Sequence, residues 1–242
     1  MPNNYFQFKQ FTIYQDHCAM KVTTDGCLFG AYVAGLIQNS KVKSKNWLDI
    51  GTGTGLLSLM LAQKNDLLLD AVEIDEPTYL QAKSNFEQSP WKEKLSIFNT
   101  DILQFDTAKK YDCIITNPPF FEDDLKSDQL TKNQAKHDAS LTLLQLLKAI
   151  DTHLSTDGNF FVLLPFHRSD YFEKEAAVLN FHLVEKLIVK QTPAHNYFRS
   201  VLYFSRNEAL PRITELTIKN TEGNYTAAFN ALLKDYYLFI KD

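Results

Sequence analysis

With 242 residues, 45% of them hydrophobic and 22% charged, the chain has the composition of a globular protein long enough to bury a sizeable core. A formal net charge of -4 excludes a general cationic coat for nucleic acid, though not a local basic rim. Three cysteines without a CxxC pair, and no signal-peptide pattern over the first ten residues, argue against a secreted disulfide framework and point to the cytosol.

No apolar run approaches the length of a membrane span, and the six histidines form no HExxH or Cys/His cluster, so neither a membrane segment nor a metal site is expected. In chain order, residues 5–14 read as a short hairpin and residues 24–37 as a helix. Short apolar runs at 47–50, 67–74, 95–98, 111–116, 159–164, 183–190 and 200–205 are the strand candidates. Helices are expected at 56–63, 76–88 and 141–154, where apolar residues recur every three or four positions. This is the rhythm of an α/β protein with a parallel sheet. Residues 191–199 are too few for a crossover helix, so the last two strands should pair antiparallel and end the sheet in an antiparallel edge. Cys113, inside an apolar run, should be a buried small hydrophobe. No repeat or proline-rich linker divides the chain. It reads as one unit over 1–242: an N-terminal elaboration at 1–45, a core at 46–206, and an extension at 207–242 packed on that core.

Asp49-Ile50-Gly51-Thr52-Gly53-Thr54-Gly55 follows the first core strand and opens a helix, the setting in which glycines let a backbone approach a ligand closely. Leu56 stands where a dinucleotide fingerprint places its third glycine, so the pattern is GxGxG, and without a Gly-Lys-Ser/Thr ending it is not a P-loop. Glu73, rather than nearby Asp75, is the expected ligand for ribose hydroxyls at the end of the second strand, 22 residues past Gly51. Asp101, after the third strand, is placed to accept from the amino group of an adenine. The combination resembles the Rossmann-like S-adenosylmethionine-dependent methyltransferases. That resemblance implies a mostly parallel seven-stranded sheet with an antiparallel last strand and helices on both faces. It also implies S-adenosylmethionine as cofactor, with Asp49, Gly51, Gly53 and Gly55 cradling its methionine part, Glu73 its ribose and Asp101 its adenine.

The fourth core strand ends in Asn117-Pro118-Pro119-Phe120. Prolines remove N–H groups and leave carbonyl acceptors, Asn117 adds a side-chain oxygen, and Phe120 a flat surface, so the site is built to accept from an amine. An NH2 conjugated to a ring or carbonyl is a poor nucleophile. If Asn117 and the Pro118 carbonyl take its two N–H bonds, its lone pair can be turned toward an electrophile, with Phe120 stacked on the planar group. Orientation carries the rate, without a strong base.

The tetrapeptide is similar to the NPP(Y/F) motif of methyltransferases acting on adenine N6, on guanine N2 of ribosomal RNA, or on the glutamine amide of release factors. Adjoining residues narrow this. Cys18-Ala19-Met20-Lys21-Val22-Thr23-Thr24-Asp25-Gly26, the run Ala135-Lys136-His137 and the ending Asp235-Tyr236-Tyr237-Leu238 resemble the bacterial tRNA1(Val) (adenine(37)-N6)-methyltransferase family over almost the full length. Phe120 replaces a frequent tyrosine, and Lys136 stands where arginine is expected. The resemblance implies a tRNA substrate and closure over the cofactor by the segment around Lys21, Thr24 and Asp25; no obligate protein partner is evident from the sequence. Read from the residues alone, Thr24 is equally a helix N-cap and Asp25 a first-turn acid. Lys126, Lys132, Lys136 and Arg199 are the candidate phosphate contacts. A cofactor-binding RNA-binding protein without catalysis is the reading from a different class.

Overall fold

A computed structural model describes residues 3–39, 44–119 and 141–240. The chain opens with an antiparallel hairpin, β1 (Tyr5–Gln7) and β2 (Thr12–Tyr14), followed by α1 (Thr24–Asn39). The core then alternates β3 (Asn46–Ile50), α2 (Leu56–Lys64), β4 (Leu68–Glu73), α3 (Glu76–Glu87), β5 (Leu95–Asn99), β6 (Tyr111–Thr116), α4 (Leu143–His153), β7 (Leu154–Pro165) and α5 (Ser169–Val178). It ends in β8 (His182–Lys190), β9 (Tyr197–Ser205), β10 (Arg212–Thr217) and α6 (Ala227–Leu233).

The main sheet has the order β10-β8-β9-β7-β6-β3-β4-β5. Every neighbouring pair is parallel except those of β9, which is antiparallel to both β7 and β8. The expected fold class holds, with two corrections. The sheet has eight strands, not seven, and the antiparallel strand is not its edge. β9 lies inside the sheet because the short 191–196 turn folds it back into the place beside β7, leaving β8 outside it. The eighth strand, β10, comes from the expected extension and runs parallel to β8 along its outer side.

Strand alternation divides the core into two layers. Trp47, Leu69, Cys113, Ile115, Phe161 and Leu163 face α1, α2, α6 and the hairpin. Leu48, Ile50, Ile114, Phe160, Val162 and Leu164 face α4 and α5. Strands buried on both faces read as near-continuous apolar runs, and this is why β3, β6 and β7 stand out in the sequence. Trp47 stacks on Phe161 at 5.8 Å, fixing neighbouring levels of β3 and β7 across β6. The ending Asp235-Tyr236-Tyr237 locks α2 from behind: the Tyr236 hydroxyl donates to the Met60 carbonyl at 2.9 Å, Gln63 to the Asp235 carbonyl at 2.8 Å, and Lys64 pairs with the Asp235 carboxylate. Tyr237 bridges to Phe8 of the N-terminal segment. Both ends of the described chain therefore brace the helix that follows the glycine loop.

Candidate active site

The candidate residues gather at the carboxyl ends of β3, β4, β5 and β6, which are neighbours in the sheet, the place where open α/β sheets bind ligands. The chain leaves β3 through Gly51, whose N–H donates to the Val72 carbonyl at 2.9 Å, and turns with Gly51 at φ 69° and Gly53 at φ 57°. L side chains rarely adopt this backbone, and the space a Cβ would point into is open at both positions.

Beneath the turn, Asp49 is fully buried. Its Oδ2 accepts from the Thr52 and Ser58 hydroxyls, both at 2.7 Å, while its Oδ1 is buried without a partner among the described residues. Burial pushes its carboxyl up to about 6, against the pull of the Ser58 and Thr52 hydrogen bonds. Glu73 is nearly buried and fastened from two sides, Oε2 accepting from Gly53 N at 2.9 Å and Oε1 from Asp75 N at 3.0 Å. Each oxygen keeps a further lone pair for an incoming hydroxyl. Asp75 is occupied elsewhere. It caps α3, accepting from Thr78 N at 3.0 Å and Thr78 Oγ1 at 2.6 Å. Asp101 is half-buried beyond β5 and closes a turn through Leu103 N at 2.9 Å.

Asn117 leaves β6 immediately beside the glycine loop. The preceding Thr116 hydroxyl donates to the Ile50 carbonyl at 2.9 Å, tying the two strand ends together. The Asn117 Oδ1 atom is buried and has no hydrogen-bond partner among the described residues. Pro118 is buried and Pro119 exposed. Phe120, Lys126, Lys132, Lys136 and His137 lie outside the described residues.

The N-terminal candidates have structural partners. Lys21 Nζ donates to the Gln15 carbonyl, and Thr24 is exposed. The cap of α1 is Thr23, whose Oγ1 accepts from Gly26 N at 3.2 Å, so a cap at Thr24 is corrected by one residue. Asp25 and Arg199 form an ion pair at 2.7 Å that links the start of α1 to β9. This engages a guanidinium expected to contact phosphate.

One residue that sequence reasoning missed is Asn85 on α3, almost fully buried. Its Oδ1 accepts from Tyr14 N at 3.0 Å, and its Nδ2 donates to the Tyr14 carbonyl at 2.8 Å and the Thr54 carbonyl at 2.9 Å. It ties hairpin to glycine loop. Its signal was a poor helix former inside a helical pattern. Phe86, next to it, fills the space over Gly55: a Cβ there would stand 2.5 Å from its ring.

A buried carboxyl beneath a glycine turn, a carboxylate at the next strand end and a buried acceptor at the end of β6 are a donor set that suits a nucleoside with a cationic amino-acid arm. Fold and donor set define the class, a Rossmann-like S-adenosylmethionine-dependent methyltransferase. Residues 33–169 match the family model described as Methyltransferase small domain. The chain is 41% identical to the tRNA1(Val) (adenine(37)-N6)-methyltransferase of Dyadobacter fermentans, over 98% of this chain and 99% of that protein. It is 37% identical to the protein of that name from Bacteroides thetaiotaomicron, over the full length of both. The chain belongs to the tRNA1(Val) (adenine(37)-N6)-methyltransferase family. Among solved structures, a predicted O-methyltransferase from Agrobacterium tumefaciens shares the fold with a TM-score of 0.66 at 12% identity, covering 90% of this chain and 99% of that one. The magnesium protoporphyrin IX methyltransferase of Synechocystis PCC 6803 does so with a TM-score of 0.54 at 17% identity, covering 76% and 80%.

Proposed function

We propose that this chain methylates N6 of adenine 37 in tRNA1(Val), in the cytoplasm, and needs no metal or obligate protein partner to do so. The reading is supported by the relatives of that name. The observation that carries it is the buried Oδ1 of Asn117, an acceptor without a donor among the described residues. S-adenosylmethionine, when bound, supplies an electrophilic methyl group on a positively charged sulfur.

Everything else is done by the chain. Asp49 offers negative charge beneath the glycine turn, Glu73 accepts from ribose hydroxyls, and Asp101 accepts from the adenine amine of the cofactor. Lys21 and Thr24 lie on the segment that closes over it. Asn117 Oδ1 and the Pro118 carbonyl accept the two N–H bonds of the substrate amine, which rotates its lone pair out of conjugation. Pro119 stiffens the strand exit, and Phe120, next in sequence, supplies the flat face for the base. The nitrogen becomes acidic only as the new bond forms, so its proton can leave to solvent without a strong base. Lys126, Lys132 and Lys136 follow the motif as phosphate contacts.

Nucleoside analysis by mass spectrometry of tRNA incubated with the protein and S-adenosylmethionine tests the reading. New N6-methyladenosine at position 37 is the expected result. Product found only as N2-methylguanosine in ribosomal RNA, or as methylated glutamine in a release factor, overturns it.

A further inference from the structure

The rim of the sheet beyond Asn117 carries a group of side chains that the transfer of a methyl group does not use. Phe166 follows β7 and Tyr197 opens β9; their rings are 5.0 Å apart and inclined at 44°, and both are partly exposed. Lys190 ends β8 opposite Tyr197, with its Nζ 4.4 Å from the centre of that ring. Lys186, two turns of the pleat below, stands over Phe166 at 5.7 Å. The lysines differ in one respect. Lys186 is nearly buried and paired with Glu173 and Asp170, whereas Lys190 has no ion pair among the described residues. The acid nearby, Glu215, accepts a hydrogen bond from the Tyr197 hydroxyl, which holds the ring by its edge. Ser200, paired with both Leu164 and Ile188 just below this level, has a buried hydroxyl without a hydrogen-bond partner among the described residues.

Partly exposed aromatic rings beside an ammonium with no ion pair among the described residues suit a nucleotide: every base has a face to stack, and every nucleotide a phosphate. Position decides which nucleotide. Val162 of β7 pairs with Thr116 of β6, so Phe166 lies four residues past a point that Asn117 passes by one. At the rise of a strand this is an offset of roughly 10 Å, too far for the acceptor base held at Asn117 but within reach of its neighbour in an opened loop.

Resting on the adenine-N6 reading above, we infer that Phe166, Tyr197 and Lys190 form a second RNA subsite, which stacks an unpaired nucleotide flanking the acceptor adenine and binds its phosphate. The base takes the face of Tyr197 that the Lys190 ammonium covers, and the ammonium swings to the phosphate. The subsite holds the loop open while the acceptor base is turned inward, so it acts on substrate binding and leaves the chemical step alone.

The test compares Tyr197→Leu, Phe166→Leu, Lys190→Gln and the conservative Tyr197→Phe with the wild-type protein, using tRNA transcripts and S-adenosylmethionine. Losing a stacked ring should raise the KM for tRNA roughly 5- to 100-fold. The kcat and the affinity for S-adenosylmethionine stay within about twofold. Tyr197→Phe keeps the ring but loses its bond to Glu215, and should raise the KM for tRNA less than Tyr197→Leu does. Lys190→Gln should lower the slope of log affinity against log salt by about one unit. A transcript with 2-aminopurine beside the acceptor adenine gives a second readout: its fluorescence should be quenched on binding to wild type and not to Tyr197→Leu or Phe166→Leu. Unchanged KM and undiminished quenching in both ring variants would overturn the subsite. Wild-type protein that binds and quenches the transcript but methylates another position refutes the adenine-37 assignment alone, and absence of tRNA binding refutes both.

Discussion

A buried acceptor left without a donor costs a fold roughly 1–3 kcal/mol, and this chain carries two beside its glycine turn, at Asn117 and Asp49. Replacing the first should separate chemistry from stability. Asn117→Ala is expected to bind S-adenosylmethionine like the wild type and to lose turnover by about 100- to 1000-fold, the effect of removing one oriented polar group from a reacting centre. Isothermal calorimetry and single-turnover assays check the two halves. At Asp49 the signature is a proton. Its folded carboxyl, at about 6, holds a proton more tightly than an unfolded aspartate near 4, so its contribution makes the fold less stable as pH rises from roughly 4 to 6. A cationic ligand docking above it favours the carboxylate and releases that proton. Calorimetry of cofactor binding at pH 6, in two buffers of different ionisation enthalpy, should therefore show proton release in the wild type and none in Asp49→Asn.

At the level of elements, the hairpin and the glycine loop behave as one piece because a single amide joins them. Asn85→Ala leaves the Tyr14 N–H and carbonyl and the Thr54 carbonyl to find other partners, and should lower stability by about 1–3 kcal/mol in urea titrations while weakening cofactor binding. Asn85→Asp turns a carboxylate toward two carbonyls and should be worse than alanine. An unchanged cofactor affinity in both variants would reduce Asn85 to a packing role. None of this is visible locally, since Tyr14, Thr54 and Asn85 are far apart in the chain. Boundaries, by contrast, were legible: the expected helix at 76–88 is α3, and the one at 141–154 is α4, trimmed by Thr142 and its capping box with Gln145. Thr23 and Thr24 precede the same apolar run, so the pattern offered no choice between them as cap. α5 escaped notice because only Ser169, Phe172 and Ala176 of its ten residues are buried, too thin a stripe to show a period.

For the whole molecule, parallel strands buried on both faces announce themselves, and the short apolar run of the edge strand β5 was also legible, whereas β10 at the opposite edge was not. The two apolar residues of β10, Ile213 and Leu216, are three apart and so show no strand period, three of its six residues are exposed, and what holds it is tertiary: Arg212 grips the buried Glu185 of β8 at 2.7 Å, and Glu185 also accepts from Tyr32 of α1. The candidate site was legible in its glycines, Glu73, Asp101 and Asn117 because these sit where strands end. The Phe166, Tyr197 and Lys190 group was not, because three strand ends assemble it. The inserted position of β9 has one more consequence, and it concerns time. β7 and β8 are successive strands that end up two strand spacings apart, roughly 10 Å, with a slot between them that residues 197–205 fill. While the slot is open the nascent sheet exposes two unpaired edges, each able to capture a strand from another molecule. Refolding yield should therefore fall as protein concentration rises. A synthetic peptide of residues 197–205 should poison refolding by occupying the slot, yet leave the native protein untouched.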